Sequence, residues 1–126
     1  HYPANYGLIP RTLADDGDPL DVLVLCSEVI HPLSLVRCYP IGVIKMLDGG
    51  KLDEKIIAIP FNDPTYSSYK HIDDLPGHIC TEIRHFFTVY KTLEGKETVV
   101  NEEEGPEEAE SIISVCLERY IQRFCR

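Results

Sequence analysis

Apolar residues along this chain change their spacing once, near the middle. In the first half they come in short runs. Val22 to Leu25 is a compact Val and Leu run, Leu35 to Met46 a longer strand candidate, and Ile56 to Ile59 a third, closed by Pro60. Pro40 and Gly42 interrupt the second run, so it is expected to lie at an edge or to carry a bulge or bend, as at a barrel corner. Asp16-Gly17-Asp18-Pro19 and Asp48-Gly49-Gly50-Lys51 are the turn signals between the runs.

In the second half the spacing becomes helical. Ile79, Ile83, Phe86, Phe87 and Tyr90 fall on one helical face, and Gly95 follows as a stop. Ile112, Ile113, Cys116, Leu117, Tyr120 and Ile121 mark a second amphipathic helix opened by Pro106. Glu107, Glu108 and Glu110 occupy its first turns and Arg119, Arg123 and Arg126 its last, an order that complements the helix dipole. Strands therefore precede helices instead of alternating with them. That predicts a mainly β, barrel-like fold with flanking α-helices, formed as a single domain over 1–126.

Composition excludes several classes. The 126 residues are 44% apolar and 26% charged, an ordinary globular mixture able to bury roughly two thirds of the unfolded surface. No apolar run approaches the ~20 residues of a membrane helix, and no signal-like leader opens the sequence. A net charge of −9 argues against nucleic acid as a partner. Six glutamates between Asn101 and Glu110 supply much of it, leaving −3 without them, and read as a local solvated patch. The five cysteines are odd in number and include no Cys-x-x-Cys, which predicts buried free thiols in a reducing, cytoplasmic compartment.

Chemistry concentrates in two acidic turns. Asp16, Asp18 and Asp21 lie within six residues, directly before the Val22 strand. Three carboxylates this close repel one another unless a cation neutralises them, and hard divalent cations prefer oxygen ligands. A solvated turn would use the same residues. The second turn holds Asp48 and Asp53, and Lys55 shares the face of Asp53 in an extended strand. If the two strands are neighbours, both turns converge on the same cations and Lys55 meets an anion held there. Tyr90 and Lys91 close the first helix, where a lysine suits the helix dipole in any case. His31, His71, His78 and His85 lack ligand spacing, and neither a nucleophile elbow nor a Walker loop occurs.

In this company the chain resembles the family I soluble inorganic pyrophosphatases. The blocks that carry the match are Tyr2-Pro3-Ala4-Asn5-Tyr6-Gly7 and Asp16-Gly17-Asp18-Pro19-Leu20-Asp21-Val22-Leu23-Val24. They are followed by Asp48, Asp53 and Lys55, then by His85-Phe86-Phe87-Thr88-Val89-Tyr90-Lys91. The resemblance implies an OB-like five-stranded barrel with flanking helices, Mg²⁺ dependence, and hydrolysis of pyrophosphate to two phosphates by a homo-oligomer. It implies Asp16, Asp21, Asp48 and Asp53 as metal ligands and Asp18 as general base. Tyr6, Lys55, Tyr90 and Lys91 would be the substrate-binding groups. It also implies that the family's N-terminal segment, with two glutamates, a lysine and an arginine, is missing here. Tyr39 stands where many members carry a basic residue. An acidic cation-binding module without catalysis, or an inactive fragment of the family, are the alternatives.

Overall fold

The computed structural model describes residues 4–95 and 98–125; the side chains of Asp48, Tyr90, Lys91 and residues 98–101 lie outside that description. Five strands form one sheet: β1 (Ala4–Leu8), β2 (Asp21–Leu25), β3 (Cys38–Asp48), β4 (Lys51–Pro60) and β5 (Thr98–Glu104). Among the described residues two α-helices, α1 (Gly77–Leu93) and α2 (Pro106–Phe124), and a single 3-10 turn at Ile72–Asp74 complete the fold. The sheet order is β1-β2-β4-β3-β5. Among the described residues the β2–β4 pair alone is parallel; the other three are antiparallel.

Alternation along the strands divides the core in two. Leu23, Leu25, Ile44, Ile57 and Ile59 pack with Ile79, Ile83 and Phe87 of α1. Their sequence neighbours Val22, Val24, Val43, Ile56 and Ala58 pack with Ala109 and Cys116 of α2. Helices therefore flank the sheet on both faces, and the fold is mainly β with flanking helices, as the sequence predicts. The sheet stays open, because β1 and β5 lie at its opposite ends rather than pairing.

The strands run longer than their apolar runs. Gly49 and Gly50 both adopt positive φ, 60° and 82°, which makes a two-residue hairpin turn. That turn pairs Asp48 with Lys51 and draws polar Lys51, Asp53 and Lys55 into β4. The register shift falls between Pro40 and Gly42, where an irregularity is expected. Helix α2 begins at Pro106 as predicted, and α1 stops at Leu93, two residues before Gly95 at φ 75°.

Two strands were not legible as apolar runs. β1 is a five-residue edge strand, partly exposed at Tyr6 and Leu8. β5 absorbs part of the acidic run expected to be a solvated patch. Glu102 and Glu104 reach Lys45 on one face of the sheet, and Glu103 pairs with Arg84 of α1 on the other.

Candidate active site

The parallel register places Asp21, the first residue of β2, opposite Lys55 of β4. This is the neighbouring of strands on which convergence of the two acidic turns depends. Lys55 donates to Asp21 Oδ2 at 2.5 Å and to the Tyr6 hydroxyl at 2.9 Å, and its Nζ lies 3.1 Å from Asp53 Oδ1. Tyr6 arrives from β1, two residues before Leu8, the partner of Asp21. Three strands thus bring three polar side chains, Tyr6, Asp21 and Asp53, to one ammonium group. Lys55 and Asp53 are buried, whereas Asp21 and Tyr6 open toward solvent.

Aromatic rings complete the lysine's surroundings. Its Nζ lies 5.4 Å from the centroid of Tyr6 and 5.5 Å from that of Phe87. The two rings meet edge to face, 6.4 Å apart. Burial alone would lower the lysine pKa, but hydrogen bonds to Asp21 and Tyr6 and the charge of Asp53 push it up instead. Lys55 is a fixed cation at physiological pH. Burial pushes the Tyr6 hydroxyl up to about 12, against the opposing hydrogen bond from Lys55, so it stays protonated and can donate.

Asp16 and Asp18 sit apart from this group, exposed on the turn that leads into β2. The Asp18 amide donates to Asp16 Oδ1 at 3.0 Å, and Gly17 takes φ 89° at the apex. The turn is anchored from below: the buried Thr12 hydroxyl donates to the Ile9 carbonyl and accepts from the Leu20 amide. Helix α2 braces the same loop, through a Leu13 amide bond to the Cys116 carbonyl and an Arg119 bond to the Leu13 carbonyl.

Of the nine residues picked out by sequence, the structure gathers Tyr6, Asp21, Asp53 and Lys55 and leaves Asp16 and Asp18 on the adjoining turn. The side chains of Asp48, Tyr90 and Lys91, and the Tyr2-Pro3 start of the first block, lie outside the described residues. Among the described residues no group of three His, Cys, Asp or Glu side chains is close enough to hold a metal ion. The oxygens of Asp21 and Asp53 nevertheless already share one cation, the ammonium of Lys55, and such hard donors suit Mg²⁺. Phe87 was missed as a site residue because an aromatic on the apolar stripe of a helix reads as core. A cleft of about 630 Å³ between the loops around Glu28 and Asn62 contains none of the nine.

A sequence profile described as inorganic pyrophosphatase matches residues 1–121. The chain belongs to the inorganic pyrophosphatase family. It is 46% identical over 123 residues to soluble inorganic pyrophosphatase 2 of Chlamydomonas reinhardtii, covering 98% of this chain and 64% of that protein. With the inorganic pyrophosphatase of Halalkalibacterium halodurans identity is 47% over 119 residues, 94% of this chain and 73% of the relative. The solved pyrophosphatase of Helicobacter pylori superposes with a TM-score of 0.88 at 43% identity, covering 94% of this chain and 72% of that one. The Thermus thermophilus enzyme gives 0.88 at 37% identity, with 94% and 70% covered. The chain thus spans about two thirds to three quarters of these pyrophosphatases.

Proposed function

We propose that this protein hydrolyses inorganic pyrophosphate to two phosphates with Mg²⁺ as cofactor. The observation that carries the reading, in a member of this family, is the buried Lys55 ammonium held between Asp21, Asp53 and Tyr6. A fixed cation beside a neutral hydroxyl donor is a phosphate-binding pair, and the flanking carboxylates supply a metal's oxygens. Asp16, Asp21, Asp48 and Asp53 would hold Mg²⁺, which when bound neutralises phosphate charge and lowers the pKa of coordinated water.

The chain's own groups do the rest. Asp18, exposed on its turn, accepts a proton from the attacking water as general base. The water oxygen bonds to one phosphorus as the bridging P–O bond breaks, and the bridging oxygen leaves with the second phosphate, so no covalent enzyme intermediate is needed. Lys55 and Tyr6, with Lys91 and Tyr90 at the end of α1, hold the phosphate oxygens as charge shifts onto the leaving group.

Cytoplasmic location and a homo-oligomer belong to the same reading. The free cysteines suit a reducing compartment, and exposed Val115, Ile121 and Phe124 on α2 suit contact with a second copy. Among the described residues no helix is long and apolar enough to cross a membrane. The deciding assay is phosphate release from pyrophosphate. Release with Mg²⁺ that stops with EDTA supports the reading; Mg²⁺ binding without release leaves only a cation-binding module.

A further inference from the structure

The helix α1 ring of Phe87 does more than fill the core. It is 2% exposed and packs among the residues between α1 and the sheet, the ordinary position of a core phenylalanine. A leucine would satisfy that role. The ring, however, lies 5.5 Å from the Lys55 ammonium, on which the Tyr6 ring also closes at 5.4 Å. Phe86 meets Phe87 edge to face at 5.3 Å and restrains its orientation. Among the described residues the lysine's carboxylate and hydroxyl partners come from β1, β2 and β4. Phe87 adds a contact to Lys55 from a helix.

Its place on the helix gives that contact meaning, because it ties α1 to a lysine otherwise surrounded by groups of β1, β2 and β4. We infer that Phe87 is a positioning residue for Lys55: its ring bears the ammonium from the helix side and holds it against Asp21, Asp53 and Tyr6. The inference rests on the pyrophosphatase reading for what the placed lysine serves, but the ring–ammonium contact stands without it. A ring quadrupole holds a cation without competing for its hydrogen bonds, so the N–H groups keep their oxygen partners and can turn to a phosphate.

The test separates shape from ring charge. Phe87 is replaced by 3,4,5-trifluorophenylalanine, which keeps the ring but weakens its negative face, and by leucine, which removes the ring. The Lys55 side-chain methylene resonances and the affinity for inorganic phosphate are then measured in the otherwise unchanged chain. In the unmodified protein the methylenes should resonate upfield of an exposed lysine, and Phe87→Leu should reduce that ring shift. Phosphate binding should weaken about 3- to 30-fold in Phe87→Leu and by a smaller step in the fluorinated form, the range of a desolvated cation–ring contact. Unshifted Lys55 resonances in the unmodified protein would overturn the inference. So would a fluorinated variant that binds phosphate as tightly as the parent while Phe87→Leu loses affinity only in proportion to lost stability. Failure of the pyrophosphatase reading shows separately, as absent Mg²⁺-dependent phosphate release by the unmodified chain.

Discussion

Lys45 of β3 donates a 2.6 Å hydrogen bond to Glu108 of α2 and lies 2.7 Å from Glu104 of β5, so one ammonium fastens helix and edge strand to the sheet. Hydrogen bonds to Glu104 and Glu108 push the Lys45 pKa up, and the bond from Lys45 pulls that of Glu108 below the usual carboxylate range. A lowered carboxylate stabilises the fold above its unfolded pKa of about 4.3, and that contribution is lost as pH falls through the folded value. A raised lysine contributes fully below its unfolded pKa of about 10.4 and loses its contribution as pH rises through the folded value. Lys45→Met should therefore lower the thermal midpoint by a few degrees at pH 7, and by much less near pH 3. Unfolding curves at the two pH values decide it; an equal loss at both would assign the effect to packing.

Gly42 is held by space rather than by backbone angle. A Cβ there would lie 2.6 Å from the Glu104 carbonyl oxygen and 2.7 Å from Ile72 Cβ, and neither is a flexible side-chain tip. Gly42→Ala should cost about 1–3 kcal/mol in urea unfolding, the range for overpacking. Gly49 is the converse, with nothing within 4 Å but φ at +60°, so Gly49→Ala should cost about 1 kcal/mol through the turn alone. A neutral Gly42→Ala would mean that β5 and the Ile72 turn are free to move apart.

Legibility followed which face a residue shows to the core. Val22 to Leu25 and Ile56 to Ile59 are buried on both faces of the sheet, so their apolar runs stand out. β1 and β5 pair along one edge each, and β5 ends in Glu102, Glu103 and Glu104, whose cationic partners, Lys45 and Arg84, lie on β3 and α1. No local pattern announces such a partner. Within the site, the Asp53–Lys55 face followed from strand periodicity alone. The contact of Lys55 with Asp21 depended on the parallel β2–β4 pairing, which joins residues 34 apart. Phe87 stayed hidden because a ring that faces a cation and a ring that fills a core occupy the same helical position.

Asp18 is the group to test for proton transfer. It is exposed, and the bond from its own amide to Asp16 Oδ1 holds the turn without using its carboxylate. Asp18→Asn should keep that bond and the fold while lowering turnover by ~10² to 10⁴, the usual contribution of a general base. Mg²⁺ affinity, measured by calorimetry, should change far less than turnover. Unchanged turnover at saturating Mg²⁺ would remove Asp18 from the role.

Lys55 gives the most discriminating experiment, because its ammonium occupies the ground a divalent cation would share. It sits 2.5 Å from Asp21 Oδ2 and 3.1 Å from Asp53 Oδ1. Lys55→Met removes that cation while keeping much of the side-chain volume between the Tyr6 and Phe87 rings. Asp21 and Asp53 are then left without the cation they share, and losing one partner of a buried ion pair costs about 3–5 kcal/mol. Any cation that takes the same oxygens should return part of that loss, since a ligand at about 100 times its dissociation constant stabilises by about 2.7 kcal/mol. The thermal midpoint should therefore drop without metal, and Mg²⁺ should raise it more in Lys55→Met than in the parent. Phosphate should behave in the opposite way, binding more weakly because the fixed positive charge is gone. The two changes are opposed only if Lys55 both competes with the metal and faces the anion. Equal Mg²⁺ shifts in the two proteins would separate Asp21 and Asp53 from the metal, and unchanged phosphate affinity would take Lys55 out of the substrate site.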